Sequence, residues 1–161
     1  MVAFENLTSI KKFIFQNEVV LDLFPNVQEL LYAFRQIDLH SPEAGVILLG
    51  YENTNTRNFT VSNATRPQPT DIRSRIAIQL NRAHYETTKK LELPYGYIGT
   101  WHTHPSQVPT PSAVDLHDWK KCIQKNRNAT SALVFIIAGT ETFRIWICDS
   151  ATGHLYEGIM L

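Results

Sequence analysis

The chemistry of this chain concentrates in Gly99-Thr-Trp-His102-Thr-His104-Pro-Ser-Gln-Val-Pro-Thr-Pro-Ser112-Ala-Val-Asp115. On a β-strand alternate side chains share a face, so His102 and His104 stand side by side, roughly 6 to 7 Å apart at their Cα atoms. Two imidazoles at that spacing can converge on one metal ion. Asp115 falls in the first turn of the helix expected next, and the proline-rich stretch between can bring that turn back over the strand end. Two nitrogens and one carboxylate oxygen are a donor set that Zn²⁺ accepts, and a catalytic zinc keeps its fourth position for water. The segment therefore implies one catalytic Zn²⁺ on His102, His104 and Asp115.

Each of these residues also has a plainer role. A single strand histidine is commonly packed or at the surface, but two at i, i+2 followed by a placed Ser and Asp make a much narrower pattern. Ser112 stands where a helix N-cap belongs, and an acid in the first turn favours the helix dipole; capping and catalysis are compatible. A water activated on such an ion would also need a base, and spacing alone does not choose among Glu43, Glu52, Glu86 and Glu92. Trp101 faces opposite to His102 and reads as core. His117 and Asp118 follow the metal set closely enough to support it, although a solvated helix face is the simpler reading. Cys122 reads as a small apolar residue on that helix, and His40, His84 and His154 have no partner pattern. There is no HExxH and no H-x-E with P-C-x-x-C, which excludes a zincin and a nucleobase deaminase.

The elements that must position this set follow from periodicity. Lys11 to Leu23 reads as a strand or hairpin around Asn17, and Pro25 near a helix start leads into Val27, Leu30, Leu31 and Phe34 at helical spacing. Val46 to Leu49 lies within a buried strand over Glu43 to Glu52, with Phe59 and Val61 on its hairpin partner. After the turn-rich stretch Asn63 to Thr70, Asp71 is expected to cap a helix running to about Leu91. Tyr95 to His104 is a strand, Pro105 to Pro111 an extended loop, and Ala113 to Lys125 a helix. Three strands close the chain: Ala132 to Ala138, Phe143 to Cys148, and His154 to Met160. About six strands and two or three helices make an α/β or α+β domain.

The 161 residues, 43% of them hydrophobic, suit one domain over 1–161, and 15 basic against 15 acidic residues remove the usual electrostatic case for a nucleic-acid or membrane partner. The opening MVAFENLTSIKKFIF does not read as a secretory signal, and two cysteines without a CxxC suit a reducing cytoplasm.

The pattern His-x-His, seven residues, Ser, two residues, Asp, with an upstream Glu on a buried strand, resembles the JAMM (MPN+ or JAB) metalloproteases. The resemblance spans nearly the whole chain and implies a cytidine-deaminase-like JAB/MPN fold, a central mixed β-sheet flanked by helices. It implies His102, His104 and Asp115 as zinc ligands, Glu43 as general base and Ser112 as helper at the scissile carbonyl. Zinc lowers the pKa of water from about 15.7 toward about 7 and polarises a carbonyl, which suits amide hydrolysis. EAGVILLG, ATRPQP and YGYIGTWHTHPSQVPTPSAVDL are similar to the stand-alone bacterial branch, encoded beside activating (E1-like) and conjugating (E2-like) enzymes and including the isopeptidase of CBASS anti-phage operons. That likeness implies hydrolysis at the C-terminus of a conjugated cGAS-like nucleotidyltransferase. An extended tail of that kind can be gripped by strand addition along an edge or loop, with Asn63 to Thr70 and Pro105 to Pro111 as expected walls. Two alternatives share the zinc site: a peptidase trimming a ubiquitin-like sulfur carrier, and a zinc-stabilised module that binds a conjugate without cutting it.

Overall fold

The computed structural model describes residues 1–38, 40–53, 55–68, 72–73, 78–79, 96–127 and 130–161. The strands are β1 (Val2–Ala3), β2 (Lys11–Ile14), β3 (Val20–Leu23), β4 (Gly45–Asn53), β5 (Asn58–Ala64), β6 (Ile72–Arg73), β7 (Ile78–Gln79), β8 (Gly96–Thr103), β9 (Ala132–Ala138), β10 (Thr142–Asp149), β11 (Leu155–Glu157) and β12 (Ile159–Met160). Among the described residues the helices are α1 (Pro25–Ala33) and α2 (Ala113–Asn126). All but β6 and β7 form one ten-stranded mixed sheet ordered β1-β10-β9-β8-β4-β5-β3-β2-β12, with β11 also on β10. The pairs β3–β5 and β8–β9 are parallel, and the others are antiparallel.

The apolar run of β9 shows why the sheet is central. Val134 and Ile136 pack with Val27, Leu30 and Leu31 of α1, while Leu133, Phe135 and Ile137 pack with Trp119 and Ile123 of α2. Alternate strand residues point to opposite faces, so the two helices cover the two sides and every residue of β9 is buried. Trp119 stacks on Phe135 with ring centres 4.5 Å apart. Pro25 occupies the start of α1, where a missing N–H costs no hydrogen bond.

The sheet is also rolled. Residues 155–157 pair with β10, and two residues later 159–160 pair with β2, near the other end of the strand order. Phe13 of β2 meets Phe143 of β10 at 6.1 Å, so the two ends of the sheet meet over the α1-side core. Gly158 makes the crossing: a Cβ there would come within 2.9 Å of the Phe15 ring.

Three expectations change. The sheet holds ten strands rather than about six, because two-residue strands such as β1 and β12 are too short to show alternation. The single strand expected over His154 to Met160 is split at Gly158 between the two ends of the sheet. The helix expected from Asp71 to about Leu91 lies mostly outside the described residues, but its described parts, Ile72–Arg73 and Ile78–Gln79, pair antiparallel. The β-branched Ile72 and Ile78 favour extended backbone there over the helical spacing of the apolar positions.

Candidate metal and catalytic site

Strand β8 positions the histidines by its place between β4 and β9. Ile98 is unpaired against β4, since Leu48 faces Gly99 and Leu49 faces Tyr97. This bulge explains how Ile98 and Trp101, three residues apart, reach the same α1-side core. His102 then points to the α2 side, where the Trp119 ring lies edge-on at 6.5 Å. His104 stands one residue past the strand and donates its N–H to Ala138 O at 2.9 Å, which continues the parallel ladder. Gly45 lies opposite His102, and a Cβ there would come within 2.7 Å of both His102 Cβ and Trp101 O.

The loop 105–111 returns the chain as the prolines require. It is fastened to the β9–β10 turn by Thr140 N–H to Ser106 O at 2.8 Å and Thr142 Oγ1 to Gln107 O at 3.1 Å. Arg144 Nη1 donates to Pro109 O at 3.0 Å while its other nitrogens fork onto Glu157 at 2.7 Å. Ser112 then caps α2. Its Oγ accepts from Asp115 N at 3.1 Å, and its own N–H donates to Asp115 Oδ2 at 2.7 Å. This capping box fixes the Asp115 carboxylate as well as the helix start.

The outcome is a close cluster of three side chains, with one imidazole against each carboxylate oxygen of Asp115. His102 Nε2 and His104 Nε2 are 3.1 Å apart, His102 Nε2 is 3.1 Å from Asp115 Oδ1, and His104 Nε2 is 3.1 Å from Asp115 Oδ2. A tetrahedral zinc with bonds of about 2.0–2.1 Å needs its ligand atoms about 3.3–3.4 Å apart, so the two imidazole nitrogens already stand near that spacing, and the carboxylate shared between them could turn one oxygen to the ion. Among the described residues these three are the group of His, Cys, Asp and Glu side chains that could hold a metal. Burial alone would raise the Asp115 carboxyl, but hydrogen bonds with His102 and His104 outweigh it and hold it far below its ordinary range.

Glu43 is buried, 6% exposed, just before β4. Desolvation pushes its carboxyl up to about 7; His104 opposes this and the Asp115 charge adds to it, which places Glu43 within electrostatic reach of the cluster. Ser112 lies at the mouth, exposed, with its oxygen already accepting the cap hydrogen bond. Of the other acids, Glu52 accepts from Ser131 N and Oγ, seven residues along the chain from Gly45; Glu86 and Glu92 lie outside the described residues. His117 and Asp118 are exposed, Cys122 is half-buried against the α2-side core, and His154 lies against Tyr156. Trp101 is core, as its alternation requires.

The residue that the sequence reading passed over here is Trp119. It is four positions from Asp115 and therefore on the same helical face, and Ile123 repeats that spacing. Those intervals were a usable signal that this face is buried behind the histidines.

Comparison with known proteins agrees with this geometry. The model of prokaryotic homologs of the JAB domain matches residues 26–149, which include all five candidate residues. Three curated relatives carry the name CD-NTase/cGAS isopeptidase. The Escherichia coli (strain TW11681) protein is 28% identical over 138 residues, covering 83% of this chain and 82% of the relative. The Vibrio cholerae protein is 26% identical over 133 residues, covering 80% and 81%. The Pseudomonas aeruginosa protein is 25% identical over 122 residues, covering 73% and 76%. Among solved structures, a Desulfitobacterium hafniense protein has the same fold, with a TM-score of 0.55, 17% identity and coverage of 82% and 84% of the two chains. The matched span covers most of the chain, and the chain belongs to the family of prokaryotic homologs of the JAB domain.

Proposed function

We propose that this chain is a zinc-dependent isopeptidase that hydrolyses the amide joining the C-terminus of a protein, a cGAS-like nucleotidyltransferase, to an amine of its conjugation target. The observation that carries the reading is the convergence of the His102, His104 and Asp115 side chains, each pair in contact at 3.1 Å, with the buried carboxyl of Glu43 within electrostatic reach. The names of the three relatives support the substrate class.

In this reading His102, His104 and Asp115 hold the ion, Glu43 is the general base and Ser112 assists the carbonyl. The bound ion supplies Lewis acidity to a water and to the scissile carbonyl. Glu43 takes a proton from the attacking water as its oxygen bonds to the carbonyl carbon. It then gives that proton to the amine nitrogen as the C–N bond breaks, so a carboxylic acid and a neutral amine leave. Burial of Glu43 favours its holding the proton between the two transfers. Ser112 Oγ accepts from Asp115 N, which leaves its own proton free for the carbonyl oxygen as charge develops there.

The test is purified protein against nucleotidyltransferase-tail and ubiquitin-like fusions, with and without chelator, the cut located by mass. Wild type cuts at the tail's last carbonyl and chelator abolishes it. Glu43→Gln keeps its zinc and loses on the order of 10² to 10⁴ in rate. Full hydrolysis by Glu43→Gln, or by metal-free protein, would refute the assignment.

A further inference from the structure

Between the two histidines stands Thr103, fully buried, with its side chain on the opposite face of β8. Its N–H donates to Ala44 O at 2.8 Å, and its Oγ1 accepts from Ala44 N at 2.9 Å. One residue therefore holds both backbone groups of the neighbour of Glu43. The hydroxyl proton of Thr103 goes to Gln36 Oε1 at 3.0 Å. Gln36, 2% exposed, in turn donates from Nε2 to Ser41 O at 3.2 Å. The described residues of 35–44 form neither helix nor strand. Past the Gly45–His102 pair, Thr103 alone extends the hold of β8 toward Glu43, through one backbone bond and one made by its hydroxyl.

We propose that Thr103 and Gln36 are positioning residues for Glu43, forming a buried latch that ties the backbone beside Glu43 to the residue between the two histidines. The proposal rests on Glu43 acting as the base in the reading above. It means that any shift of β8 carries base and metal ligands together, so their separation is preserved. A reacting group misplaced by about 1 Å loses on the order of 10² in rate, which is the scale of effect the latch controls.

Thr103→Val keeps the shape and removes the hydroxyl. We expect zinc binding at one ion per chain, unchanged KM, and kcat lower by roughly ten- to a hundredfold, with Thr103→Ser restoring kcat to within about threefold of wild type. In a Glu43→Gln background, Thr103→Val should add no further loss to the residual rate, because its effect passes through Glu43. Multiplying losses, or a Thr103→Ser variant as slow as Thr103→Val, would overturn the proposal. A second readout needs no substrate. Hydrogen exchange at the Ala44 amide should speed up at least about tenfold in Thr103→Val and not in Thr103→Ser. Unchanged exchange refutes the latch whatever the chain hydrolyses, whereas a wild type with a protected Ala44 amide that cuts no conjugate refutes the isopeptidase reading and leaves the latch standing. If Thr103→Val does not fold, Gln36→Met removes the far end of the latch, with kcat expected to fall about three- to tenfold; an unchanged kcat there overturns the role of Gln36.

Discussion

Burial holds the Glu43 carboxyl near 7 against an ordinary 4.5. Between those values the unfolded chain has released this proton while the folded chain keeps it. Metal-free protein therefore loses stability through Glu43 as pH rises from about 4.5 to 7, and the loss levels off above that. Glu43→Gln lacks the titration, so the difference in urea midpoint between metal-free wild type and the variant should move steadily against the wild type across that window. A constant difference from pH 4.5 to 7.5 would show that the carboxyl is not held up by its surroundings. At this scale the sequence was unevenly readable. His102, His104, Ser112 and Asp115 lie within fourteen residues, so strand alternation and a helix cap were enough to bring them together. Glu43 lies 59 positions from His102 in the chain, and only the pairing of β4 with β8 brings it near. Thr103 gave no signal, since nothing in a His-Thr-His triplet says that the central side chain faces a buried glutamine on another segment.

Among the elements, the β4–β8 contact decides whether the site forms. Gly45→Ala would put a methyl group 2.7 Å from His102 Cβ and from the Trp101 carbonyl oxygen. The backbone oxygen cannot yield without moving β8, so His102 must shift relative to Asp115. We expect zinc affinity to fall about ten- to a hundredfold, the usual range for disturbing the support of a metal ligand, as measured by competition with a chromophoric chelator. Affinity equal to wild type would show that the strands separate without disturbing the ligands. The elements around this contact were legible where their patterns were long. The apolar run of β9 marked a strand, and Ser112 marked the start of α2. The bulge at Ile98 was not legible, because an unpaired residue changes only the partner register and leaves no mark on composition. The two-residue strands are defined by what they pair with and share that silence.

For the molecule as a whole, the cluster of three side chains joins β8 to α2, and thus the centre of the sheet to the helix that covers one of its faces. An ion bound there links two layers and stabilises only the folded chain. Zinc at a hundred times its Kd should add about 2.7 kcal/mol, which for a domain of this size raises Tm by about 5 to 10 °C. Thermal unfolding with zinc and with excess chelator measures this directly, and coincident curves would rule out a folded metal site. Among the described residues, no helix is long and apolar enough to cross a membrane. The rolled sheet has a further consequence for how a substrate is held. Its two ends are stitched together by 155–160, and its rim strands are two or three residues long. Among the described residues, such a rim offers a guest chain no extended row of open amides and carbonyls to zip onto. On the proposed reading, a tail presented for cutting is gripped elsewhere than along this rim, so its recognition can be tuned without disturbing the scaffold beneath.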